Sequence, residues 1–187
     1  MLSEVLSKET CAECRFCCSF RRCSLWETPL FPEDECEKLS SDNEYGVISD
    51  FNMNKSEDVE YYTHEGKCVM NGQTYGQMKL SGKYKTDDSQ EEASCDYLSP
   101  EKGCILSDED KPFDCKIWPL RIMKKGERLV IAHTPTCPAL GKEPNEKLIA
   151  LVKNGLGKSI FDYAILHPFI VKEYKEGFPV IMECGKE

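Results

Sequence analysis

The spacing of apolar residues predicts different elements in different parts of the chain. Beyond about residue 143 the spacing is helical, and the apolar residues on one helix face are Leu148, Leu151, Val152 and Leu156. Further short helices are predicted at residues 159–166 and after Pro168. The C-terminal stretch, about residues 143–187, is therefore predicted to be helical.

Two apolar segments ahead of that stretch predict a β-hairpin. Residues 120–123 and 128–132 flank the polar sequence Lys-Lys-Gly-Glu. In the middle of the chain, polar residues alternate with aromatic and aliphatic ones, which predicts two or three strands with turns at Asn71-Gly72 and Ser81-Gly82. Short helices mixed with hairpins indicate a small α+β fold without a doubly wound sheet.

Length and charge narrow the class of protein. With 187 residues the chain is expected to form a single domain, residues 1–187. Its 33 acidic and 24 basic residues give a formal charge of -9, which disfavours binding to nucleic acid or to an anionic membrane. The sequence has neither the roughly 18 consecutive apolar residues of a membrane span nor an N-terminal signal peptide. We therefore predict a cytoplasmic protein.

Twelve cysteines are many for a cytoplasmic chain, because disulfides are rare in that compartment. Eight of them form an ordered series, and thiolates at such density are soft ligands that select zinc, copper(I) or iron–sulfur clusters. The predicted metal ligands are Cys11, Cys14, Cys17, Cys18, Cys95, Cys104, Cys115 and Cys137. The alternative, a secreted protein built on disulfides, is disfavoured by the missing signal peptide.

The first four cysteines are predicted to share one helix face. Thr10 and Glu13 match a capping box, so a helix is expected to begin near Cys11. At about 100° per residue, all four thiols then fall within an arc of about 120°. Because Cys11 and Cys18 are separated by about 10 Å of helix rise, and ligands of one tetrahedral metal lie within about 4 Å of each other, distant cysteines must complete the site.

The later cysteines are placed by turns. Gly103 precedes Cys104 and allows a tight turn there. Pro112 is predicted to open a short helix that carries Cys115. His133 lies four residues before Cys137, and a histidine packed on the predicted strand is favoured over a ligand.

At these motifs the chain resembles the YkgJ-like cysteine-cluster family, described as zinc- or iron-chelating. The resemblance rests on the CxxCxxCC sequence at 11–18, on Cys95, on Gly103-Cys104-Ile105, on the segment 111–120 and on Cys137-Pro138. It implies a small domain with eight metal-ligating cysteines at the positions given above. A similar cluster occurs in flagellin lysine N-methylases, which implies a possible role in protein modification by analogy alone.

Relative to that family, the motif core spans residues 11–138. An insertion of about residues 40–94 separates the first and second cysteine groups, and the C-terminal extension follows the last cysteine. The acidic segment at 86–93, expected to be a mobile loop, and the C-terminal tail are the candidate surfaces for a protein partner. The sequence leaves open whether the chain is an enzyme.

The spacing of the cysteines favours an iron–sulfur cluster over zinc. Zinc modules usually contain two tight C-x2-C pairs, whereas the run from Cys11 to Cys17 with a remote Cys-Pro resembles bacterial ferredoxin ligation. A cluster with a redox or modifying role is therefore the first hypothesis. A structural zinc module in a protein-interaction domain without catalytic activity is the alternative.

The remaining cysteines and the basic residues are given lesser roles. Cys23 is a candidate auxiliary ligand, while Cys36, Cys68 and Cys184 are predicted not to bind metal. Two small basic groups are interpreted as solvated faces or as compensation for thiolate charge. They consist of Arg15, Arg21 and Arg22, and of Arg121, Lys124, Lys125 and Arg128.

Overall fold

The computed structural model describes residues 2, 5–41, 44–55, 60–62, 68–70 and 72–185. Short helices and small sheets make it an α+β protein, as predicted. The α-helices are α1 (Lys8–Cys14), α2 (Glu33–Ser41), α3 (Phe113–Ile117), α4 (Glu146–Leu151) and α5 (Gly157–Leu166). The strands are β1 (Ser19–Arg21), β2 (Leu30–Pro32), β3 (Phe51–Lys55), β4 (Glu60–Tyr62), β5 (Cys68–Met70), β6 (Thr74–Met78), β7 (Glu92–Ser94), β8 (Leu98–Ser99), β9 (Gly103–Cys104), β10 (Leu120–Lys125), β11 (Arg128–His133), β12 (Lys172–Glu173) and β13 (Val180–Glu183).

The chain divides into two compact units. Unit 1 comprises Met1–Ser7, Lys55–Gln73 and Ile117–Glu187, and unit 2 comprises Lys8–Asn54 and Thr74–Lys116. This division does not decide the prediction of a single domain, which stays a prediction. No helix in the described residues combines the length and the apolar character that crossing a membrane requires.

Unit 1 is built on the predicted hairpin. Strands β10 and β11 pair antiparallel with Leu120 opposite His133, and they form the centre of a four-stranded sheet in the order β12-β10-β11-β13. The apolar face of α5 packs on this hairpin, with Ile160 and Ala164 fully buried. The side chain of Asn145 caps the start of α4 by accepting a hydrogen bond from the Leu148 amide at 2.9 Å.

The C-terminal extension is not helical throughout, contrary to the prediction. Helices α4 and α5 are present and are joined by a π-helical segment, Val152–Leu156. After a single 3-10 turn at Pro168–Ile170, however, the chain forms the two edge strands β12 and β13. Strand β12 is parallel to β10, and β13 is antiparallel to β11.

Unit 2 has its own apolar core. Strands β2, β6 and β3 form a sheet, and helix α2 packs on it. The rings of Phe31 and Phe51 meet edge to face with their centroids 5.1 Å apart. The buried core residues are Phe20, Phe31, Cys36, Leu39, Phe51, Met78, Leu80, Ala93, Tyr97 and Leu106.

The acidic segment 86–93, predicted to be a mobile loop, is a hydrogen-bonded turn up to residue 91 and strand from Glu92. The carboxylate of Glu91 accepts hydrogen bonds from the amides of Lys85 and Thr86 at 2.6 and 2.7 Å. Arg22 lies 4.5 Å from the centroid of the Tyr84 ring, next to the same turn. The segment then enters β7, which pairs with β1.

Candidate functional site

Seven of the eight predicted ligands belong to unit 2, and Cys137 belongs to unit 1. The structure describes ten cysteine side chains, and all ten are thiols. The side chains of Cys11 and Cys68 lie outside the described set. Within unit 2 the predicted ligands come from three separate segments, which are residues 11–18, residues 95–104 and residue 115.

The first segment does not form the single helix that the sequence predicted. Helix α1 ends at Cys14, and Arg15 takes a left-handed conformation with φ of 54°. The Nε of Arg15 donates a hydrogen bond to the Ala12 carbonyl at 3.0 Å, which stabilises this turn. Cys17 and Cys18 then lie on a separate 3-10 turn, with their Sγ atoms 4.0 Å apart.

Strand pairing brings the second segment to the first. Strands β1 and β7 place Ser19 opposite Ser94, and just beyond this pair the amide of Cys95 donates to the carbonyl of Cys18 at 2.8 Å. The main chains at Cys18 and Cys95 are therefore directly bonded, although 77 residues separate them in sequence (95 − 18 = 77).

Helix α1 and strand β9 also meet closely. A methyl group on Gly103 would lie 3.0 Å from both the Cα and the Cβ of Ala12. The φ of 73° at Gly103 is also one that L-residues rarely adopt. Glycine is thus required there for two reasons, and it places Cys104 beside the helix that carries Cys11 and Cys14.

Helix α3 presents Cys115 to the same region. The helix follows Pro112, as predicted. The buried carboxylate of Asp114 anchors it to β2 by accepting a hydrogen bond from the Leu30 amide at 3.3 Å.

Desolvation and neighbouring groups raise the pKa values of the cysteines in this region. Desolvation raises the pKa of Cys115 well above its usual value, and the thiols of Cys95 and Cys17, the Asp114 carboxylate and the Cys104 thiol raise it further. Desolvation, and to a smaller extent the nearby Cys104 thiol, raises the pKa of Cys95 to about 12. The thiols of Cys17, Cys95 and Cys104 therefore disfavour ionisation of Cys115, and these four thiols come from three segments of sequence. We name Cys17, Cys95, Cys104 and Cys115 the thiol cluster.

The thiol cluster is not sealed from solvent. Cys104 and Cys115 are exposed, and Cys17 and Cys95 are partly buried. Desolvation nevertheless raises the pKa of both Cys104 and Cys115. Cys104 and Cys115 are therefore open to solvent on one side and packed against protein on the other.

Lys111 supplies positive charge next to the thiol cluster. Burial lowers the pKa of Lys111, but the hydrogen bond to Asp108 and the thiols of Cys104 and Cys115 outweigh that effect and raise it. The Nζ of Lys111 lies 3.1 Å from the Asp108 carboxylate. Lys111 is the first residue of the motif 111–120, but the sequence did not indicate a role for it.

Two of the basic residues that the sequence analysis considered for this role have other partners. Arg22 packs against Tyr84, and Arg121 is buried with its guanidinium 4.8 Å from the centroid of the Trp118 ring. The positive charges that act on the thiol cluster come instead from Lys111, whose pKa the thiols of Cys104 and Cys115 raise, and from Lys83, which acts to lower the pKa of Cys95.

The thiol cluster has the donor type of a soft metal centre, because it consists of four thiols with a cation nearby. Among the side chains that the structure describes, however, no three Cys, His, Asp or Glu residues form a group that could hold one metal ion. A metal at the thiol cluster therefore stays a prediction.

The other cysteines have varied surroundings. Cys137 is buried in unit 1, within turns closed by a 2.8 Å hydrogen bond from the Gly141 amide to its carbonyl. Cys36 is buried in the core of unit 2, and burial raises the pKa of its thiol to about 12. Cys23 is exposed, and Cys184 is partly buried in unit 1.

His133 ends β11 and is fully buried, as expected for a histidine packed on a strand. Burial lowers its pKa, and the backbone at Lys142 opposes that shift. The ring therefore favours its neutral form.

Comparisons of this chain with protein-family models, with curated proteins and with solved structures find no match. The likeness to the YkgJ-like family therefore rests on the cysteine motifs alone and stays a prediction.

Proposed function

We propose that this chain is a metal-binding protein whose metal centre is held by cysteine thiolates, with an iron–sulfur cluster as the favoured occupant. The observation that supports it most is the thiol cluster, in which desolvation and, after it, the other thiols raise the pKa of Cys95, Cys104 and Cys115. Burial and like charge disfavour ionised thiols, whereas a bound cation reverses the effect and stabilises each thiolate.

The number and source of the thiols also support a metal. Four is the usual number of protein ligands for a structural zinc ion and for a ferredoxin-type cluster. The four thiols come from residues 17, 95, 104 and 115. They are far apart in sequence, so it is the fold that brings them to one region. The other predicted ligands, Cys11, Cys14, Cys18 and Cys137, keep that role in the proposal.

The spacing of the cysteines along the sequence favours an iron–sulfur cluster over a single zinc ion. The run from Cys11 to Cys17 with a remote Cys-Pro resembles bacterial ferredoxin ligation, whereas zinc modules usually contain two tight C-x2-C pairs. When bound, such a cluster supplies one-electron transfer. The protein's part is to provide the thiolates, to desolvate them and to balance their charge with Lys111.

Serine substitutions test the proposal. We expect Cys95→Ser, Cys104→Ser and Cys115→Ser each to lose most of the bound metal in anaerobically purified protein. The matched control is Cys184→Ser, a partly buried thiol outside the predicted ligand set, which should keep the metal content of the parent chain. Equal metal content in all four variants would contradict the proposal.

A further inference from the structure

The thiols of Cys17 and Cys18 lie unusually close together for adjacent residues, and the proposed metal site does not by itself explain this. Their Sγ atoms lie 4.0 Å apart, although neighbouring residues of a regular helix or strand point their side chains in different directions. The 3-10 turn after the left-handed Arg15 produces this approach. Both residues are partly buried rather than enclosed, so a small molecule can reach them.

We propose that Cys17 and Cys18 form a reversible oxidative modification site, a disulfide between adjacent residues, with a small-molecule disulfide such as glutathione disulfide as oxidant. The thiolate of one cysteine attacks a sulfur of the oxidant, forming a mixed disulfide and releasing one glutathione thiolate. The thiolate of the second cysteine then attacks the protein sulfur of that mixed disulfide and releases the second glutathione. Two protein thiols are oxidised, one external disulfide is reduced to two thiols, and the two protons go to those thiols.

The geometry favours the second step and keeps the product reversible. Two sulfurs that are already close react at a high effective concentration, so the mixed disulfide is short-lived. The Cα atoms of adjacent residues are only about 3.8 Å apart, below the usual range of about 4.4–6.8 Å across a disulfide. The bond is therefore strained, and strained disulfides are the readily reduced, regulatory ones.

Oxidation has a consequence that rests on the proposed function. A sulfur in a disulfide is no longer a thiolate ligand, so closing this bond removes two predicted ligands at once. Metal binding and oxidation then compete for Cys17 and Cys18, and an oxidant should release the metal.

Tryptic peptides provide a direct readout. Cleavage after Arg15 and Arg21 gives the peptide Phe16–Arg21, whose only cysteines are Cys17 and Cys18. The neighbouring peptide Glu9–Arg15 contains Cys11 and Cys14 and serves as an internal comparison. Full-length protein, purified anaerobically with any metal it holds, is treated with glutathione disulfide, its remaining thiols are alkylated, and the masses of both peptides are measured by mass spectrometry.

We expect Phe16–Arg21 to lose both alkyl labels and to be two hydrogen atoms lighter than the reduced peptide. The variant Cys18→Ser should instead accumulate one glutathione on Cys17, because the attacking neighbour is missing. Recovery of the parent peptide with two alkyl labels, with two glutathiones, or linked to other peptides would overturn the inference.

Metal content, measured in parallel on protein purified with its metal, separates this inference from the proposed function. Metal release in step with oxidation of the peptide supports both. Oxidation of the peptide in a protein that binds no metal would leave the modification site standing and would contradict the proposed function. Oxidation with full retention of metal would overturn the roles of Cys17 and Cys18 as ligands.

Discussion

Substituting Gly103 with alanine tests whether the contact between α1 and β9 builds the candidate site. The new methyl group would lie 3.0 Å from two atoms of Ala12, tighter than nine in ten Cβ contacts in proteins, so Ala12 would have to shift. Gly46 provides the matched control in the same unit, because its φ of 63° is close to the 73° of Gly103 while no described atom lies within 4 Å of a Cβ built there.

The two substitutions share one penalty and differ in the other. A left-handed conformation costs an alanine about 1–2 kcal/mol at either position. Overpacking adds about 1–3 kcal/mol at Gly103 only. We therefore expect Gly46→Ala to lower the free energy of unfolding by about 1–2 kcal/mol and Gly103→Ala to lower it by about 2–5 kcal/mol, since strain and overpacking add there.

The assay is urea unfolding of both variants under reducing conditions, with bound metal measured on the same samples. Because α1 carries Cys14 and β9 carries Cys104, we expect Gly103→Ala also to lose metal while Gly46→Ala retains it. Equal unfolding midpoints and equal metal content in the two variants would refute the reasoning.

Three further predictions address charge, pH and metal removal. Lys111→Met should raise the metal dissociation constant measured by chelator competition. Lys111→Arg and the exposed control Lys102→Met should keep a constant near that of the parent chain. An unchanged constant in Lys111→Met would argue against charge compensation. Hydrogen bonds from the Lys85 amide and from Thr86 hold the pKa of Glu91 below its ordinary value of 4.5. Its contribution to stability is therefore present above about pH 4.5 and lost as the pH falls through the lower pKa of the folded state. Glu91→Gln should flatten this part of the stability profile measured by urea unfolding, and an unchanged profile would contradict the assignment. Chelation under reducing conditions should increase the protease sensitivity of α1 and of residues 95–115, since metal binding and folding are coupled, and undiminished resistance would contradict an integral metal.

Local signals predicted the elements that depend on neighbouring residues. The hairpin of β10 and β11 follows from two apolar segments around a glycine turn, and α3 follows from Pro112. Strands β12 and β13 were missed because they are short and gain stability from pairing with β10 and β11, which lie about 50 residues earlier.

Four of the eight predicted ligands lie in the thiol cluster, but the local geometry that places them was not predicted. Helical periodicity extended α1 through Cys18, whereas the left-handed turn at Arg15 ends it and brings Cys17 and Cys18 together. Hydrophobic periodicity does not report a left-handed turn. The residues that would signal one are chiefly glycine, asparagine and aspartate, and an arginine stands at this position. The anchoring of residues 86–93 by Glu91 was likewise invisible, since it depends on backbone amides rather than on a residue pattern.

Anaerobic purification followed by analysis of iron, zinc and acid-labile sulfide tests the central claim most directly. We predict iron and sulfide bound to the chain, with visible absorption that bleaches on reduction. Stoichiometric zinc in a colourless protein would select the structural alternative. A chain without iron or zinc, in which every predicted ligand reacts fully with an alkylating agent, would contradict the account.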